Sequence, residues 1–237
     1  MSSATRFTDL GNPLPRRHEL PCKEFRYVAN SDFIVLPRPA RRATKNFFSV
    51  VERRRTRKEF GRLDVTRLSS FLWWSAHTRH AERLPSGFIW EHRPAPSAGG
   101  RHPADILVFR PAKNGWRLYL YEPMTHRLVA LTINELLLRA FVANVARIVD
   151  PMRGTIIWFA AQSIRTFSKY RWGSSLVWRD AGVLIGHMAL VAEALDLNFC
   201  PLGATGEPRL SRLLGAKGKV FGVGGGLLGA RSGHVAD

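Results

Sequence analysis

The sequence predicts an α+β protein, a sheet of mostly antiparallel strands flanked by helices. Three observations carry this. Trp116–Glu122 and Leu128–Leu131 are strand-like runs joined by the turn Pro123–His126, the pattern of a hairpin. Helical runs with apolar residues at i, i+3 and i+4 lie on both sides of that region. Helices alternate with hairpins instead of single strands, which disfavours a doubly wound parallel sheet.

Residues 1–43 hold Pro13, Pro15, Pro21, Pro37 and Pro39 among basic and polar residues, so they are expected to form an extended arm that wraps a partner surface. Residues 44–237 are expected to form the folded domain. A helix is predicted from Asn46 to Lys58, with Phe47, Phe48 and Val51 on one face. Asp64 is a good N-cap for a second helix bearing Leu68, Phe71 and Leu72. Residues 79–103 are rich in Pro, Gly and His and are expected to be loop. Strands are then predicted at 104–109, 116–122 and 128–131, followed by a helix over 133–149 and a buried strand over 155–161. The apolar run 175–197 carries Arg179, Asp180, His187 and Glu193, each costly at a bilayer centre, so a buried core or interface helix is expected instead of a membrane span. Strands at 198–204 and 220–223, with a short helix near 208–214 between them, complete the chain.

Composition narrows the function classes. With 45% hydrophobic and 11% aromatic residues, the 237-residue chain is globular, not disordered. Cys22 and Cys200 form no metal or disulfide pattern, and residues 1–26 lack the apolar run of a secretory signal; a reduced, cytoplasmic protein is expected. The net charge of +18 attracts anions, but its cations are scattered and no nucleic-acid motif accompanies them. Nucleic acid is therefore not the expected partner. His77 and His80 have no third ligand nearby, and no metal is expected. Gly224–Gly226 lacks the strand and helix of a dinucleotide fingerprint and reads as close packing in the last strand.

Two segments point to a phosphate-bearing flat ligand. Arg54, Arg55, Thr56 and Lys58 supply two guanidinium forks, a hydroxyl and an ammonium within five residues, a donor set that suits a phosphate dianion. Pro96-Ser97-Ala98-Gly99-Gly100 is a small-residue loop whose backbone N–H groups, with the Ser97 hydroxyl, can approach a ring edge. Taken alone, the first also reads as a solvated basic helix end and the second as an ordinary turn.

These segments resemble the nitroreductase-like flavoprotein superfamily. The run Arg54-Arg55-Thr56-Arg57-Lys58-Glu59-Phe60 is similar to its RRS-x-R/K-x-F motif, with Thr56 in place of Ser. Leu68–Trp73, the PSAGG-x-x-P loop at 96–103, Leu118–Pro123, Asp180-Ala181-Gly182, Leu190–Leu195 and Cys200–Gly203 follow in the superfamily's order. The resemblance implies a nitroreductase-like sheet in an intertwined homodimer, with FMN at the interface. It further implies that Arg54, Arg55, Thr56 and Lys58 hold the phosphate, that Pro96, Ser97, Ala98, Gly99 and Gly100 border the ring, and that Pro201, Leu202, Gly203 and Ala204 approach flavin N5. Arg231 is a looser match for a further phosphate contact.

The pair Lys169-Tyr170 resembles the azoline dehydrogenase branch, which oxidises thiazolines and oxazolines to azoles. That implies a peptide or carrier-protein-bound substrate, a possible biosynthetic complex, and Lys169 or Tyr170 as the catalytic base. Val183 stands where that branch has histidine, and 172–177 replaces its RGYR-like segment. An NAD(P)H-dependent nitro or quinone reductase is the alternative enzyme, and a nucleic-acid-binding or scaffolding protein the alternative from another class.

Overall fold

The fold, taken from a computed structural model, is described for residues 10–40 and 45–231. Its elements, in chain order, are β1 (Leu14–Pro15), β2 (Ala29–Val35), α1 (Phe47–Arg53), α2 (Val65–Ala76), β3 (His80–Arg83), β4 (Ile89–His92), β5 (Ala104–Ala112), β6 (Gly115–Glu122), β7 (Arg127–Leu131), α3 (Glu135–Ala146), β8 (Thr155–Ala161), α4 (Ser163–Lys169), β9 (Tyr170–Arg171), α5 (Ser174–Ala194), β10 (Leu197–Leu202), α6 (Arg209–Leu213) and β11 (Phe221–Ala230). Seven strands form one sheet in the order β10-β11-β8-β5-β6-β7-β2, and each neighbouring pair is antiparallel. The mixed, helix-flanked antiparallel architecture expected from the sequence is present.

Strand alternation divides the core in two. Ile106 and Val108 of β5, with Phe159 of β8, face Phe71 and Leu72 of α2 and Met188 of α5. Leu107 and Phe109, with Trp158, face Phe141 of α3 and Leu210 of α6. Because helices cover both faces, all seven residues of β8 are buried, which explains its unbroken apolar run. Caps fix the helix starts: the Asp64 carboxylate accepts from the Arg67 N–H at 2.7 Å, and the Asn134 side chain accepts from Leu136 and Leu137. Helix α5 is long and apolar enough to cross a bilayer, yet it packs on α2, β10 and β11.

Several elements depart from expectation. Helix α1 stops at Arg53, so Arg54–Glu59 lies outside the helix. The Glu59 carbonyl accepts from Asn198 Nδ2 at 2.7 Å, and Gly61 pairs with Ala230, drawing this run onto the sheet margin. The loop expected at 79–103 contains the hairpin β3–β4. The last strand runs to Ala230, well beyond Val223. Its glycines admit close neighbours: a Cβ on Gly226 would lie 2.7 Å from the Cys200 carbonyl oxygen, and one on Gly225 would strike the Ile157 carbonyl. The described part of the arm covers its own chain, with β1 paired to β9 and β2 forming an edge of the main sheet.

Candidate functional site

The Pro96–Gly100 loop leads into β5 at one end of the sheet. Gly99 and Gly100 have φ of 61° and 65°, a backbone that side chains rarely adopt. A Cβ on Gly100 would strike the Trp90 indole nitrogen. One on Gly99 would lie 2.7 Å from the Tyr170 hydroxyl and 3.1 Å from Lys169 Nζ. The two residues expected as catalytic are therefore beside the loop expected to border the ring.

The Ser97 hydroxyl differs from expectation, because it is committed within the protein. It donates to Asp180 Oδ2 at 2.5 Å and accepts the His102 N–H at 2.8 Å. Asp180 Oδ1 also accepts the Ala98 N–H at 3.1 Å. Asp180, on α5, thus pins the loop; partial burial raises its pKa although Ser97 and Ala98 oppose the shift. The sequence offered a signal for this role, a carboxylate near the start of an apolar helix. Arg101 follows, fully buried, paired with Glu19 of the arm and lying 4.3 Å from the Phe88 ring centroid.

Lys169 ends α4 and Tyr170 begins β9. The arm fixes both. The Arg16 N–H donates to the Lys169 carbonyl at 2.7 Å, Leu20 N–H donates to Ser168 at 2.8 Å, and Arg16 Nε donates to Phe167 at 3.0 Å. Arg165, one turn earlier, is bracketed by Asp105 at 2.7 Å and Glu24 at 2.6 Å. Burial acts to lower the Arg165 pKa, but these carboxylates outweigh it and the net shift is upward. Between arm residues Cys22–Arg26 and loop residues Gly100–His102 lies a cavity of about 700 Å³. His102, on its wall, has its pKa lowered to about 4 by burial first and by Arg93 next.

The other expected ligand residues lie elsewhere on the sheet. Arg54, Arg55, Thr56 and Lys58 are exposed, and none of these three cations has a carboxylate partner among the described residues. Arg57 turns inward to Glu193 at 2.6 Å, and Glu193 also receives Arg231 at 2.8 Å. Arg231 reaches Asp196 at 2.8 Å as well, so it sits at the cationic end with its guanidinium held by carboxylates. Burial pushes the Glu193 pKa up, yet Arg57 and Arg231 prevail and hold it below the ordinary range. This ion network was not visible in the sequence, because its members are far apart in the chain.

Strand β10 links the two ends. Leu197 pairs with Ala230 beside the cationic run, and Leu202 pairs with Gly225 at the far end, where Gly203 is exposed with open space around it. Six residues of strand span about 17–20 Å. The Pro96–Gly100 loop belongs to β5, three strand steps from β10, or about 14 Å across the sheet. Within one chain, Arg54–Lys58 and the Gly99 loop therefore do not meet.

The nitroreductase family model matches residues 51–226. The chain belongs to this family. A solved structure from Ralstonia eutropha, designated a nitroreductase, has 20% identity and a TM-score of 0.61, covering 94% of this chain and 100% of that one. The E. coli microcin synthetase complex McbBCD, with a truncated pro-MccB17 bound, has 17% identity and a TM-score of 0.57 over 84% of this chain and 78% of that one. A nitroreductase from Desulfovibrio desulfuricans in complex with FMN has 15% identity and a TM-score of 0.51 over 81% and 90%. At these identities the likeness concerns the fold. No curated protein matches by sequence. As a nitroreductase-family chain, this one places Lys169, Tyr170 and Asp180 around the Gly99 loop, and its exposed cations at the opposite end of β10.

Proposed function

We propose that this chain is an FMN-dependent dehydrogenase that desaturates an azoline-type ring in a peptide or carrier-bound intermediate. The observation that carries the reading is the placing of Tyr170 and Lys169 directly over Gly99. Most of the ligand-holding residues fit the cofactor. Arg54, Arg55, Thr56 and Lys58 have side-chain donors with no partner among the described residues and suit a phosphate dianion, with Arg231 beside them. Pro201 and Leu202 end β10 and Gly203 and Ala204 follow it, with an exposed glycine, Gly203, whose open surroundings suit a ring edge.

One chain supplies the phosphate end and the β10 end, and the Pro96–Gly100 loop comes from a second copy. The separation of these parts within one chain supports such a two-copy site, as does the exposed apolar face of α1, with Phe47 62% and Phe48 72% exposed beside the cations.

When bound, the flavin supplies the hydride acceptor for the desaturation. The protein's share is to hold the ring and to take a proton from the carbon next to the hydride donor. The Lys169 amine or the Tyr170 oxygen takes it, and the arm's hydrogen bonds to residues 167–169 hold that pair in place. Asp180 fixes the loop against which the ring rests. In anaerobic stopped-flow mixing of FMN-loaded protein, a thiazoline-bearing peptide should bleach the flavin, and NADPH should not. Rapid bleaching by NADPH alone would instead identify an NAD(P)H-dependent nitro or quinone reductase.

A further inference from the structure

A second charged site lies far from Gly99. Arg62, Arg110, Lys113 and Arg153 line one cavity of about 440 Å³ together with Leu63 and Met152. The wall has no carboxylate, and none of the four cations forms an ion pair among the described residues. Among the described residues, the Arg110 guanidinium donates only to the Leu63 carbonyl, at 3.4 Å. The nearest acids in sequence are already used, Asp64 as the cap of α2 and Asp150 as acceptor for the Met152 N–H at 2.9 Å. The arm-bounded cavity contrasts with it, since Glu24 and Glu91 stand among its cations. Four like charges around one hollow repel one another, and an anion seated there relieves the repulsion.

We propose that this cavity docks a carboxylate-rich peptide segment. The cations come from three separate stretches of chain and converge on a hollow instead of following a line of phosphates. No aromatic side chain lines the wall, so nothing there stacks a nucleobase. Leu63 and Met152, the latter 73% exposed, offer an apolar seat for one side chain between the carboxylates. The cavity adjoins the β5–β6 turn, whereas Gly99 precedes the start of β5. The nine residues of β5 separate them by about 26 Å. The cavity is thus remote from the Lys169–Tyr170 pair of its own chain.

The test is fluorescence anisotropy of the full chain with a labelled peptide of glutamates and one leucine, its glutamine counterpart, and a single-stranded oligonucleotide. The acidic peptide should bind most tightly. R110Q/R153Q should weaken it about tenfold or more, while K217Q/K219Q, which removes the same charge elsewhere, should change it less than about twofold. Should R110Q/R153Q not fold by circular dichroism, K113E on an exposed side chain replaces it and should show the same loss. Equal losses in both charge pairs, no preference for the acidic peptide over the glutamine one, or tighter binding of the oligonucleotide would each overturn the proposal.

Discussion

Replacing Glu193 by Gln tests the ion network beneath the cationic end of the site. Glu193 is 2% exposed and is the common acceptor for Arg57 at 2.6 Å and Arg231 at 2.8 Å. The amide keeps the volume but removes the charge, leaving two guanidinium groups against a neutral oxygen. Breaking a buried pair costs about 3–5 kcal/mol. The arginine side chains are 29% and 21% exposed, so water recovers part of this and a value near 3 kcal/mol is expected. For a domain of this size that lowers Tm by roughly 6–12 °C.

The pH dependence follows from the sign of the shift. The folded pKa of Glu193 is depressed, so its contribution is full above the ordinary carboxylate value and fades as pH falls through the folded one. The variant should therefore lie close to the wild type in acid and far below it at neutral pH. Urea unfolding at both pH values measures this. A loss under about 1 kcal/mol at neutral pH, or one independent of pH, would refute the assigned network.

Other outcomes follow from the same geometry. Gly99→Ala should cost about 1–2 kcal/mol for its left-handed backbone and displace the Tyr170 hydroxyl, whereas Gly203→Ala, with open space around it, should leave stability unchanged; paired thermal melts decide. Asp180→Ala should release Ser97 and Ala98, costing about 1.5–3 kcal/mol per charged hydrogen bond lost, and should speed amide exchange in the 97–102 loop while leaving α3 protected. His102 and His126 have their pKa values lowered to about 4, burial being the first cause for both. The unfolded chain therefore binds more protons between pH 6.5 and 4, and stability should fall across that window by on the order of 2–3 kcal/mol per histidine. A His126→Gln variant should lose its share of the slope in a urea series.

Much of the sheet was legible because its signals are local. Alternation along Trp116–Glu122 and the turn at Pro123–His126 mark a hairpin without reference to the rest of the chain. The Asp64 cap and the close packing at Gly225 and Gly226 were legible for the same reason. Elements set by distant partners were not. Helix α1 stops short of Lys58, and the contacts of Glu59 and Gly61 just beyond it are with Asn198 and Ala230, far along the chain. The two-residue strand β9 exists only because the arm pairs with it. In the site, residue types were legible and their commitments were not: the Ser97 hydroxyl is spent on Asp180, and Arg231 is shared with Glu193 and Asp196.

Subunit complementation most directly tests a site assembled from two copies. R54A/R55A removes the phosphate end, and a Gly99 variant with a bulky side chain spoils the loop. Each alone should fail to retain FMN. After mixing and reassociation, about one site in four should turn yellow, since half the dimers are mixed and each rebuilds one intact site. Retention of one FMN per chain by either variant alone, or by a monomer, would contradict the shared site.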